Sequence, residues 1–568
     1  MNKIKDSEEQ LEIMRHGLAH ILAMAVIKLF PDTKLGIGPA IENGFYYEFQ
    51  NEHVFSPNDL INIENEMHLI IAENLEFKQI FTTREEAIDI LHQSGQIFKT
   101  ELLKQVSDDQ ISFFKTGNFL DLCRGPHVKS TKKIGVFKLS KVEPTFWLNQ
   151  EHRPELQKIS GIAFQDEESL NSYINTLHEL RFKSAKIIGK NLSFLIYNKD
   201  FSDRNFIWLP KGHLLKEQVR QFLSAVFKQN NYFFVETPAI AKFVFFNEYF
   251  QEEAIKTNYL NPVKVEQEDY LIRTNCTPAH NFIFHSKKYS YRQLPIKLCE
   301  FGNCYKNNNN NIQYQTLESH IYCTKEQIVA EIKKSIQLTI SIFNKFGFEN
   351  IIIEAKTPTK DNATNYDIVK DAVNYTQNSL SELKLLAKIS QNSYCKVGVE
   401  LNFSVKDIFN KVHIISTIII DLKSSIKEKL VYINKQNKPE NCILIKYSPI
   451  NSLDKFVSLL IEKFEGAFPL WLAPAQIIVL PISEKYLKEA KATFNALRKE
   501  GFRVEIDNSN TTIQSKIRYF EKEKIPYALI IGGKEIKTNS VSVRGRDGKE
   551  LGLVRIEEFI SKINAEIA

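Results

Sequence analysis

His16-Gly17-Leu18-Ala19-His20 is the stretch from which the chain is best read, because it is answered further on by Cys123-Arg124-Gly125-Pro126-His127. Around the first pair, Leu11, Met14, Leu18, Leu22, Val26 and Leu29 or Phe30 recur at three-to-four spacing, which predicts a helix from about Glu9 to Phe30 with one buried face. Residues four apart share a helix face, so His16 and His20 offer two imidazoles to one small volume. Cys123 and His127 have the same spacing, but Gly125 and Pro126 between them predict a tight loop. Three imidazoles and a thiol can bind zinc tetrahedrally, or can hold and polarise a water for hydrolysis. The spacing does not choose between these. One histidine pair on a helix is commonly a half-buried polar stripe; two matched clusters point to a site.

The chain has 568 residues, enough for several buried cores. Hydrophobic residues make up 43% and charged residues 25%, an ordinary globular balance. No apolar run reaches the about twenty residues of a membrane span, and Met1–Asp6 has no signal-peptide core, so a cytoplasmic protein without a membrane partner is expected. Seven cysteines at irregular spacing fit a reducing compartment rather than a disulfide framework. The net charge of +6 permits a nucleic-acid partner without requiring one, since opposite charges are interleaved.

The text flanking the two clusters is specific. Gly36-Ile37-Gly38-Pro39-Ala40-Ile41-Glu42-Asn43-Gly44-Phe45-Tyr46-Tyr47-Glu48-Phe49 follows the histidine pair, and Gly117-Asn118-Phe119-Leu120-Asp121-Leu122 leads into Cys123. Together they resemble the editing domain of bacterial-type threonyl-tRNA synthetases, shared in outline with alanyl-tRNA synthetases. The resemblance implies a pocket of His16, His20, Cys123 and His127, with Asp121 orienting groups around it, that hydrolyses serine wrongly esterified to the tRNA 3′ end. Alanyl relatives bind zinc with this set; the threonyl pocket is generally described as working without a tightly held metal. Residues 1–165 are expected to form this domain, with Ser56-Pro57 opening a helix and Thr82/Thr83 with Glu85/Glu86 forming capping boxes. The small ubiquitin-like domain that usually precedes it is expected to be absent.

A mixed-charge helical linker is expected over residues 166–195, its Arg181, Lys183, Lys186 and Lys190 forming a solvated face. Residues 196–472 resemble a class II synthetase catalytic domain, through Phe206-Ile207-Trp208-Leu209-Pro210-Lys211-Gly212, the dimer-forming Glu236-Thr237-Pro238, Leu271–His280 and Ser290–Pro295. Past Glu300-Phe301-Gly302 the match degrades. Lys306 stands where the family has an arginine on the ATP phosphate and is followed by Asn307–Asn311; Lys455, in Asn451-Ser452-Leu453-Asp454-Lys455-Phe456, replaces the ATP-stacking arginine. Lysine lacks the planar fork that grips two phosphate oxygens. The family's catalytic zinc has one cysteine and two histidines; Cys276 and His320 match two of them, but the third position is Lys446. A protonated amine is a poor ligand, so no stoichiometric zinc is expected in this domain, and Cys442 is not expected to replace the missing donor. Asn402, in place of the usual aspartate, and Ile418-Ile419-Ile420 further depolarise the amino-acid pocket.

From Phe464-Glu465-Gly466 through Pro474 the text again follows the family, and residues 473–568 alternate strand and helix. This resembles the family's anticodon-binding domain, with Arg518 and Arg544 as the candidates for tRNA contacts. The fold class expected is therefore α+β multidomain: an editing domain, a degenerate catalytic-like domain on a class II antiparallel sheet, and a C-terminal α/β anticodon-binding domain. The expected activity is deacylation of mischarged seryl-tRNA, acting on tRNA for threonine as a homodimer and needing no cofactor. ATP with magnesium, and zinc, are implied only if ligation survives. A working threonine–tRNA ligase with a drifted site and a non-catalytic tRNA-binding relic are the alternatives.

Overall fold

The computed structural model describes residues 2–567 apart from 105, 107, 109, 150–152, 199, 203–204, 250–259, 306–312, 359–365 and 392–397. The chain divides into two compact units, Met1–Glu179 and Leu180–Ala568. Among the described residues no helix is long and apolar enough to cross a membrane.

In the first unit the opening helix runs from Asn2 to Leu29, starting earlier than its apolar period suggested. Met14, Leu18, Leu22 and Val26 are buried, whereas Leu29 is exposed, so the buried stripe stops one turn short of expectation. That stripe packs with Phe45, Tyr47 and Phe49, alternate residues of the strand Gly44–Gln50. The strand belongs to a five-stranded sheet ordered Lys34–Leu35, Gly44–Gln50, Glu155–Phe164, Val136–Phe146, with Ala40–Ile41 also paired to Gly44–Gln50. A second, antiparallel sheet contains Phe77–Thr83, Gln110–Thr116 and Phe119–Leu122. Ser56 and Asp59 form a capping box on the helix Pro57–Ala72, as do Thr83 and Glu86 on Arg84–Gln93. Thr82 lies in the preceding strand, so the Thr82/Thr83 region supplies one box rather than two.

The segment expected as one linker helix is two, Glu167–Phe182 and Ala185–Asn191. In the second unit an eight-stranded sheet is ordered Phe233–Phe234, Ile296–Tyr305, Gln313–Cys323, Ile443–Ile450, Val412–Asp421, Gly398–Lys406, Ile352–Thr357, Lys388–Gln391. Its pairings are antiparallel except at the two edges. Helices Pro210–Gln229, Ile328–Lys345 and Leu453–Phe464 share one apolar core with it. A five-stranded sheet closes the unit: Val504–Ile506, Ile477–Pro481 and Tyr527–Ile531 run parallel, joined by helical crossovers, and Val541–Gly545 and Glu550–Val554 add an antiparallel hairpin. The short helix Gly533–Lys537 was not anticipated.

Candidate active site

In the first unit the fold brings all five expected residues together. His16 and His20 project from the opening helix, and the Cys123–His127 loop lies against them. His16 and His127 stack with ring centroids 4.2 Å apart, and His20 and His127 are also 4.2 Å apart. The Cys123 sulfur is 3.4 Å from His16 Nε2 and 3.3 Å from His127 Nε2. Phe77 stacks on His127 at 5.1 Å, and Phe114 meets it edge-on at 4.4 Å. Gly125 makes the loop possible. Its φ is +70°, and a Cβ there would lie 2.7 Å from Phe114.

Burial sets the protonation states. It holds His16 below the usual imidazole range and His20 well below it, and together with His20 and His16 it drives His127 down to about 2. Burial also pushes the Cys123 thiol up to about 11. At neutral pH the cluster is therefore three neutral imidazoles and a thiol. His20 Nδ1 and His127 Nδ1 are buried without a hydrogen-bond partner among the described residues.

Beneath the imidazoles sits a charged group that the sequence reading found only in part. Asp121 is 3% exposed; its Oδ1 pairs with Lys99 Nζ at 2.7 Å, and its Oδ2 accepts from the Tyr47 hydroxyl at 2.6 Å. His20 Nε2 is 3.6 Å from the same Oδ2. Lys99 and Tyr47 were not singled out in the sequence. Tyr47 could have been found, since strand alternation turns it inward with Phe45 and Phe49, and a buried tyrosine hydroxyl needs a partner. Lys99 sits in the short helix Ile97–Lys104 with no motif around it, and only the fold reveals that it is buried. Outside His16 opens a cavity of about 360 Å³ whose lining includes Glu9, Glu12, Pro39 and Pro126.

The donors of His16, His20, Cys123 and His127 lie within 4.8 Å of one another, a spacing that admits a tetrahedral ion or a water.

In the second unit the expected ligation positions fare differently. Lys306 and the asparagine run Asn307–Asn311 lie outside the described residues. Lys455 opens the helix Leu453–Phe464, its N–H donating to the Ser452 cap at 3.3 Å. His320 is paired in register with Lys446, but its nitrogens are taken: Nδ1 meets His280 Nδ1 at 2.8 Å and Nε2 meets the Thr277 hydroxyl at 2.9 Å. Lys446 Nζ pairs with Asp421 at 2.8 Å. Burial opposes its charge, yet Asp421, Glu428 and Glu318 outweigh that and hold the ammonium above its usual range. Cys276, His320 and Lys446 therefore do not fit a zinc ion. Cys442 is buried among Phe284, Leu294, Tyr322 and Leu444, an apolar cluster. Asn402 is satisfied locally, donating to Glu400 at 2.6 Å and accepting from Thr417 at 3.0 Å.

In the last sheet Arg518 stands exposed on the helix Ile513–Lys522. Arg544 is half-buried, 3.4 Å from Glu521 and 3.8 Å from Glu550.

Three family models match the chain: the threonyl and alanyl tRNA synthetase second additional domain over residues 111–147, the class II core domain of tRNA synthetases (G, H, P, S and T) over 261–464, and the anticodon-binding domain over 476–566. The threonine–tRNA ligase of Laribacter hongkongensis is 33% identical, covering 98% of this chain and 89% of its own length. That of Clostridioides difficile is also 33% identical, covering 100% and 89%. Among solved structures, the RNA-binding domain of threonyl-tRNA synthetase from Cryptosporidium parvum superposes with a TM-score of 0.64 at 27% identity, over 67% of this chain and 98% of that one. With relatives at this identity matched over nearly the whole chain, and with the three family models in succession along it, the chain belongs to the threonyl-tRNA synthetase family.

Proposed function

We propose that the first unit hydrolyses the ester joining serine to the 3′ end of tRNA for threonine, and that ligation by the second unit is crippled. The observation that carries this reading is the convergence of three neutral imidazoles and a thiol over the buried Lys99–Asp121–Tyr47 group. A 3′-ester is already activated, so its hydrolysis needs a placed water, a base and a counter-charge for the oxyanion. Neutral His16 or His20 can take the water's proton, with Asp121 orienting His20. Lys99, fixed in a low-dielectric site, favours the negative charge that develops on the carbonyl oxygen. Its ammonium also opposes a dication beside it, which supports a water rather than a metal among the imidazoles. Glu9 and Glu12 at the cavity mouth complement the α-ammonium of an aminoacyl ester.

A working ligase is the second reading, favoured by the class II sheet and by the ligase relatives that span the chain. Ligation in this family uses ATP with magnesium, and Lys455 and Lys446 stand at two of the positions it depends on. A homodimer is part of our proposal, supported by an apolar recess of about 340 Å³ lined by Pro238, Phe245 and Phe282 next to Glu236-Thr237-Pro238.

The test compares the protein with a His16→Ala, His20→Ala double variant on seryl-tRNA and threonyl-tRNA for threonine. Serine release should slow by about 10²–10⁴-fold in the variant, and the parent should keep its rate in excess chelator. Equal release by both proteins at the uncatalysed rate would leave the tRNA-binding relic in place of the enzyme.

A further inference from the structure

We propose that Cys276, Cys304 and Glu318 form a zinc site of their own, displaced from the set that ends in Lys446. The three come from separate elements. Cys276 caps the helix Thr277–His285, Cys304 lies on the strand Ile296–Tyr305, and Glu318 lies on the neighbouring strand Gln313–Cys323. One donor atom from each lies within 4.8 Å of the other two. Zinc–sulfur bonds of about 2.3 Å and zinc–oxygen bonds of about 2.0–2.2 Å place tetrahedral ligand atoms about 3.5–3.8 Å apart, so a contraction of about 1 Å closes the site.

The surroundings favour this set over its neighbours. Gly302 sits between Glu300 and Cys304 on one face of its strand, and a Cβ there would lie 2.5 Å from the Cys276 sulfur and 3.6 Å from that of Cys304. The absent side chain is what lets the two sulfurs share one space. Glu318, with a side chain 13% exposed, accepts from the Cys276 N–H at 3.0 Å and the Thr277 hydroxyl at 3.4 Å. Among the described residues no lysine or arginine comes within 4 Å of it; its nearest basic group is His320 Nε2 at 3.6 Å, which the Thr277 hydroxyl already engages. The Arg273 guanidinium, whose Nη2 would lie 3.3 Å from the same Cβ on Gly302, faces both sulfurs, and Lys446 acts on Glu318 from farther off; both cations favour the deprotonated donors that zinc needs. The other trio around Cys276, with His280 and Glu300, is committed elsewhere. Glu300 pairs with Arg273 at 2.8 Å and accepts from the Thr237 hydroxyl at 2.7 Å, and His280 faces His320.

Two thiolates and a carboxylate suit zinc better than a hard cation. Binding forms two sulfur–zinc bonds and one oxygen–zinc bond, and the two thiol protons leave to solvent. Water takes the fourth position. The inference is independent of the hydrolysis proposed for the first unit.

The full chain, purified under reducing conditions and loaded with zinc alone, provides the test. Zinc-edge X-ray absorption of the unaltered protein should find two sulfurs at about 2.3 Å, where a Cys276–His320 ion would have one. Cobalt substitution should give a thiolate charge-transfer band that is lost in Cys304→Ser and kept in His320→Ala. One sulfur in the absorption spectrum, a band lost in His320→Ala but kept in Cys304→Ser, or no retained metal each overturns the proposal. So does a Cys276–Cys304 disulfide that survives reduction. Because the sulfur count needs no variant, it stands even if a substitution unfolds the domain.

Discussion

Glu48 shows how a single residue on the strand that supplies Tyr47 ties stability to pH. It is 2% exposed, its Oε2 meets no partner among the described residues, and burial raises its carboxyl to about 7 against the pull of Lys158. The fold therefore keeps a proton on Glu48 between the unfolded carboxyl's pKa near 4.5 and about 7, and stability falls as pH rises through that window. Glu48→Gln mimics the protonated form and escapes the loss. Its advantage over the parent should grow by about 2 kcal/mol between pH 5.5 and pH 8, read by hydrogen exchange in the strand Gly44–Gln50. An advantage that does not change with pH would refute the buried charge as its source. The imidazoles act with the opposite sign. His20 and His127 stay neutral in the fold, so below about pH 6.5 the unfolded chain takes up protons that the fold refuses, and stability drops as pH falls.

At the scale of elements, what could be read in the sequence followed from local rules. Periodicity gave the opening helix, and the Ser56 cap followed from its pattern. Lys99 escaped because a lysine in a short helix reads as solvated, and its burial goes with Asp121, which arrives from the strand Phe119–Leu122. The capture of Lys446 by Asp421 is likewise a contact between neighbouring strands, visible only once their register is known. The Cys123–His127 loop is the element most open to test. Gly125→Ala forces an alanine to φ +70° and drives its Cβ to 2.7 Å from Phe114. Displacing the loop by about 1 Å should slow deacylation on the order of 10²-fold. Gly501→Ala is the matched control, since it has φ +87° with nothing within 4 Å of its Cβ, and it should leave deacylation unchanged. Equal effects of the two substitutions would mean that loop geometry does not matter to the reaction.

Across the whole molecule, the histidine–cysteine cluster proposed for hydrolysis is built wholly from residues of the first unit and the expected ligation positions wholly from the second. The two chemistries can therefore decay separately. Ligation must first activate the amino acid with ATP, a step that gathers charge on phosphate oxygens and rewards bidentate arginines. Replacing an arginine by lysine forgoes part of a charge-assisted contact worth about 1.5–3 kcal/mol, and each 1.4 kcal/mol lost costs about tenfold in rate. On the proposed reading Lys306 and Lys455 make that loss twice, and Lys446, paired with Asp421, offers an ammonium at the third position of the expected zinc set. Threonine-dependent exchange between ATP and pyrophosphate is therefore expected to be undetectable or very slow, while the same preparation releases serine from seryl-tRNA. Lys455→Ala should change neither result. Robust exchange abolished by Lys306→Ala would restore the ligase reading, because a lysine would then be gripping phosphate where an arginine was thought essential.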